Sequence, residues 1–150
     1  MIANGYELAQ RFVGLAEIHG PQHNGFIQWC FSLCSLSPET PDETPWCSAF
    51  CNGIAWMMRL PRSKSAAARS WLNVGIPVDL ATARPGNVIL ILKRGAGAQP
   101  GPEVIAAPGH VTFFAGVEGG RVLGLGGNQG DQVSVAGFPI DRILGLRALG

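Results

Sequence analysis

The chain has 150 residues, 47% of them hydrophobic and only 14% charged, and 11 basic residues against 10 acidic ones leave a net charge of +1. That length suits one domain, with a core large enough to need no metal or disulfide staple, and a charged share below the usual ~25% implies a neutral surface. The basic residues are scattered singly, which argues against nucleic acid as a partner. No apolar run reaches the roughly 20 residues that span a bilayer.

The start, "MIANGYELAQRFVGL", has no basic n-region and already contains Glu7 and Arg11, so the expectation is a soluble protein made without a secretory signal of its own. From Tyr6 to Ile18 apolar residues recur every three to four positions and predict an amphipathic helix, ended by His19-Gly20-Pro21. Phe26, Ile27, Cys30, Phe31 and Cys34 repeat the pattern in a second, shorter helix, and the polar loop "SPETPDET" follows. A third helix is expected with Thr44 as N-cap and Pro45 at its first position, which puts Cys47 in the first turn, and it closes near Leu60. The alanine-rich "SAAARSWLNVG" predicts one more brief helix ending at Gly75.

Beyond "ARPGN" the pattern changes to β. Val88–Leu92, His110–Val117, Arg121–Leu125, Gln132–Ala136 and Arg142–Arg147 read as strands separated by glycines, with "GAGAQPGPEVIAAPG" as a flexible loop. Helices first (about 1–75) and an antiparallel sheet of about five strands second (about 86–148) is an α+β arrangement, one domain over 1–150.

A thiol attacks as thiolate, and the unpaired N–H groups at a helix start favour that anion. Of Cys30, Cys34, Cys47 and Cys51, only Cys47 stands at a helix start. The plain alternative for each cysteine is a small buried hydrophobe. A nucleophile also needs a base. His110, after a glycine and at the start of the apolar strand in "PGHVTFFAG", is better placed for this than His19 and His23, which flank a Gly-Pro turn. The imidazole in turn needs a polar group to orient it. If the strand of "RVLGLGGNQGD" pairs with that of His110, it brings Asn128 as the first choice, Gln129 as the second and Asp131 as the third. A bare polar turn is the alternative for that glycine-flanked segment.

Taken together and in order, "TPWCSAFCN", "ARSWLNVG", "RPGNVILI", "GHVTFFAG" and "LGGNQGDQV" resemble the CHAP and NlpC type of papain-like cysteine peptidases and amidases that cut bacterial peptidoglycan, above all small phage and prophage lysin domains. The resemblance covers roughly residues 5 to 148. It implies a papain-like fold with Cys47 as nucleophile, His110 as general base and acid, Asn128 as third member, and no metal or organic cofactor. It also implies an oxyanion hole using the Cys47 backbone N–H, with Asp42 and Gln129 in the segments that would offer a side-chain donor. Trp46, Arg69 and Trp71 match positions that are structural or line the substrate cleft. The implied partner is peptidoglycan, cut at a stem-peptide or glycan–peptide amide bond in the periplasm or cell wall. Delivery would fall to a holin, a virion tail or a secretion apparatus, and an endolysin is the role that fits.

The chain departs from the family in two places. Trp46 stands directly before the cysteine where many NlpC-type members carry Asp, which favours the CHAP side, and the loop leading into His110 is long and could contribute to the groove or a lid. Two other readings stay open: a non-enzymatic module stapled by zinc on the four cysteines, and a papain-like hydrolase acting on another amide or an ester. The composition permits a dimer without demanding one.

Overall fold

The computed structural model describes residues 1–19, 22–37, 39–41 and 45–150. Among these residues three α-helices come first, α1 (Gly5–Gln10), α2 (Gly25–Ser32) and α3 (Cys47–Met57), followed by a 3-10 helix over Ala68–Asn73. Six strands follow: β1 (Ile76–Pro77), β2 (Val88–Lys93), β3 (Gly109–Glu118), β4 (Arg121–Gly126), β5 (Ser134–Pro139) and β6 (Ile143–Ala148). They form one antiparallel sheet in the order β1-β6-β2-β3-β4-β5. The architecture is the expected α+β, with N-terminal helices on a C-terminal sheet. The strand count is six rather than about five, because the two-residue β1 pairs with the end of β6.

The central strand β2 reads as a continuous apolar run because both its faces are covered. Ile89 and Ile91 join Val111, Phe113 and Leu125 beneath the helices, while Leu90 and Leu92 join Phe114, Val122 and Leu146 on the opposite face, where Val78, Leu80 and Ala83 pack over them. The helix α3 lies deepest, with every residue from Cys47 to Ala55 buried.

The first helix is shorter than its periodicity suggests. It ends at Gln10, and Gly14 takes φ +94, a conformation that suits glycine and breaks a helix. Residues 14–17 then pair with the connection between β4 and β5: Gly14 N–H donates to the Val133 carbonyl, Val133 N–H to the Leu15 carbonyl, and Glu17 N–H to the Asp131 carbonyl. The apolar residues read as a helix face are thus shared between a helix and an extended segment.

The start of α3 also differs from expectation. Cys47 is the first helical residue, and Trp46 occupies the N-cap position without a side-chain cap bond; Pro45 therefore precedes the helix. Thr44, the expected cap, lies outside the described residues.

Candidate active site

Three elements meet at Cys47. The N-terminus of α3 abuts the beginning of β3, where His110 is the second residue, and the turn from β4 to β5 closes over both. Together they border a cavity of about 480 Å³ lined by Cys47, His110, Asn128, Gln129 and Gly130, and also by Ser134, Ala136, Phe138, Arg94 and Arg142. His19 and His23 do not line it.

The first turn of α3 is fixed by a buried polar network. Ser48 Oγ donates to the Ser65 carbonyl at 2.6 Å and accepts from Trp71 Nε1 at 2.9 Å. Asn52 Nδ2 donates to the Ser48 carbonyl and to Ser63 Oγ, and Asn52 Oδ1 accepts from Lys64 N. Trp46 packs behind the turn, edge-on to Phe50, with its Nε1 donating to Glu17 Oε2 at 3.0 Å. These contacts set the helix axis and so the direction of its unpaired N–H groups.

Burial opposes ionisation of Cys47, but the hydrogen bond and charge of His110 and the backbone N–H groups of Val111 and Ser48 outweigh it, and the thiol sits below its ordinary value. The converse holds for His110: burial favours its neutral form, yet contact with Cys47 and then Gln129 raises it above its ordinary value, against a smaller opposing effect of the Arg142 charge. Burial pushes the other thiols the opposite way. Cys34 rises to about 11, and Cys30 and Cys51 are raised further. One thiol of four is prepared to ionise.

Gln129 is the amide beside the imidazole. Its Oε1 lies 2.9 Å from His110 Nε2. Its Nε2 donates to the Gly124 carbonyl at 3.1 Å and the Ser134 carbonyl at 2.6 Å, which fixes the amide orientation and leaves Oε1 as acceptor. His110 therefore carries its proton on Nε2 when neutral and presents the Nδ1 lone pair to the thiol. This corrects the expectation that Asn128 would hold the position. Extending the register of Phe113↔Leu125 and Phe114↔Gly124 would bring Asn128 opposite His110, but β4 ends at Gly126 and Asn128 turns to φ +59. The turn carries Asn128 out of the ladder, and Gln129 swings under the ring.

The turn can come this close because Gly127 has no side chain. A Cβ there would lie 2.5 Å from the Trp46 ring and 3.0 Å from Phe50 Cβ. Gly127→Ala is expected to destabilise the protein by about 1–3 kcal/mol through overpacking, seen as a lowered midpoint in thermal or urea unfolding. An unchanged midpoint would mean that the Trp46–turn contact is not tight.

The groove assigned to Trp46, Arg69 and Trp71 is not where those residues lie. All three are fully buried and none borders the cavity. Arg69 instead pins the long loop before His110: its Nε donates to the Pro108 carbonyl at 2.9 Å, and its NH1 to Gly101 at 2.7 Å and Val104 at 3.1 Å. Gly109 is required beside it, since a Cβ there would lie 2.9 Å from Arg69 Cγ. Of that loop only Arg94 reaches the cavity. Asp42, considered as an oxyanion donor, lies outside the described residues. Ser134, Phe138 and Arg142 are lining residues that no sequence motif singled out.

The four cysteines are unpaired. Among the described residues no three His, Cys, Asp or Glu side chains stand together so as to hold a metal ion, and the zinc-stapled reading loses its ligand set. Among those residues, too, no helix is long and apolar enough to cross a membrane.

No family model matches the chain, and no curated protein does so either. Among solved structures, the chain is similar to NlpC1 from Trichomonas vaginalis, with a TM-score of 0.57 and 15% sequence identity over 98% of this chain. The match spans 45% of that protein's chain. The fold is thus NlpC-like.

Proposed function

We propose that this chain is a thiol-dependent amide hydrolase of the papain-like kind, with Cys47 as nucleophile, His110 as base and acid, and Gln129 as the group that orients the imidazole. The observation that carries this reading is the coupled pair itself: a cysteine lowered and a histidine raised by mutual contact, at a helix start, on an open cavity. The NlpC-like fold supports it.

The Cys47 thiol passes its proton to His110 Nδ1, and the thiolate attacks the substrate carbonyl carbon to give a tetrahedral oxyanion next to the first-turn N–H groups of α3. Collapse breaks the C–N bond as His110 returns the proton to the leaving amine, giving a thioester. His110 then takes a proton from water, hydroxide adds to the thioester, and the acid leaves with Cys47 restored. Gln129 Oε1 accepts from Nε2–H throughout and favours the imidazolium that forms midway.

As substrate we propose the peptidoglycan stem peptide or its amide link to the glycan, reached through a holin, a virion tail or a secretion apparatus, with an endolysin as the role. Trp46 before the cysteine supports a place nearer the CHAP members. Purified sacculi incubated with wild-type or Cys47→Ala protein test this, with turbidity followed and fragments identified by mass spectrometry. Clearing by wild type alone with new stem-peptide amino termini supports an endopeptidase, and free stem peptides support an amidase. No release by the wild type, with the Cys47 thiol intact, would reject this substrate and leave another amide or ester.

A further inference from the structure

The cavity beside Cys47 is bordered by two cationic side chains. Arg94, just after β2, and Arg142, in the 3-10 turn Ile140–Arg142, both line it, and among the described residues none that lines it is acidic. Asp141 faces the neighbouring depression with Lys93 and Arg142. Two arginines that no carboxylate among the described residues neutralises, on the same opening as Cys47 and His110, call for an anion from the substrate.

The Arg142 guanidinium is held in place before any ligand arrives. Its Nε and NH2 donate to the Lys93 carbonyl at 3.1 and 2.8 Å, and its central carbon lies 5.4 Å from the centre of the Phe138 ring. Phe138 in turn lies against His110, with ring centroids 5.5 Å apart. Arg142, Phe138 and His110 thus form a row of contacts leading to Cys47. Nε and NH2 face a backbone carbonyl, while among the described residues neither NH1 proton has a protein acceptor. Arg94 has its backbone fixed, its N–H donating to Gln99 Oε1 at 2.9 Å and its carbonyl accepting from Gln99 Nε2. Its side chain is exposed and has no partner among the described residues.

We propose that Arg142 and Arg94 make the cleft selective for amides that bear a free carboxylate close to the scissile carbonyl, with Arg142 NH1 as the principal contact and Phe138 as the apolar wall between carboxylate and reacting centre. This rests on Cys47 being the nucleophile. It adds a specificity that the catalytic group does not require.

The test uses two small electrophiles that differ in charge. Iodoacetate and iodoacetamide are reacted with the full-length protein, modification of Cys47 is followed by peptide mass spectrometry, and each rate is divided by that of 2-mercaptoethanol. The normalised preference of the wild type for iodoacetate is expected to be about tenfold or more, the scale of one charge-assisted contact. Arg142→Gln and Arg94→Gln should each lower it several-fold, and Arg142→Lys should keep most of it. Raising salt to about 0.5 M should weaken it in the wild type, because exposed charges are screened.

Arg94→Gln keeps the test readable if loss of the Arg142–Lys93 contact unsettles the fold. A reactive Cys47 whose preference is unchanged in both Gln variants would overturn the carboxylate assignment and leave the hydrolase reading standing. A Cys47 that reacts with neither reagent would overturn the nucleophile, and the carboxylate assignment with it.

Discussion

Cys47→Ala and His110→Ala are each expected to lose turnover on the order of 10^4-fold or more, and the double variant no more than either alone, because nucleophile and base act as one unit. The basis is their mutual dependence: contact with His110 brings the Cys47 thiol below its ordinary value, and contact with Cys47 lifts His110 above its own. Cys51→Ala is the control. Cys51 is fully buried one turn along α3 and far from ionising, so its loss should lower stability by about 1 kcal/mol through a small cavity while turnover persists. Additive losses in the double variant would show that the two residues work independently, contrary to the mechanism.

Gln129→Ala is expected to lower kcat/KM by roughly 10–100-fold, the worth of a hydrogen bond to a charged group, whereas Asn128→Gly, which suits the positive φ of that position, should cost several-fold less. The pH profile separates orientation from mere folding. Activity needs thiolate and imidazolium together, so kcat/KM should be bell-shaped, its acid limb reporting ionisation of the pair's thiol and its alkaline limb loss of the imidazolium proton. Gln129 raises His110, so its removal should move the alkaline limb to lower pH; Arg142 lowers His110, so Arg142→Gln should move that limb to higher pH. A Gln129→Ala enzyme that is slower but keeps the wild-type alkaline limb would assign Gln129 to loop packing instead.

The sequence by itself determined the fold class and pointed to the cysteine and histidine that meet at the cleft. Helix periodicity in residues 47–57 and the apolar run of 88–92 survive any tertiary arrangement, since each is buried on all sides or on a fixed stripe. Cys47 was legible because a helix start is a local property, and His110 because Gly109 and the strand after it are adjacent in the chain. The short first helix was not legible: residues 14–17 leave it to pair with 131–133, a partner more than a hundred positions away.

Only the tertiary structure decided the third residue and the walls of the cleft. Strand alternation predicts a face only while the strand lasts, and it ends two residues before Asn128, where Gly127 passes beneath Trp46 and the chain turns through positive φ. Sequence alone left Trp46, Arg69 and Trp71 open between a structural place and the lining of the cleft, because each carries a polar tip. In three dimensions those tips bond Glu17, backbone carbonyls and Ser48 inside the protein. Arg94 and Arg142 stand 48 positions apart, with nothing local to join them, and they border one opening because β2 and β6 are neighbours in the sheet. Local order can be read from neighbouring residues, but a binding surface is a product of strand order, which depends on long-range burial.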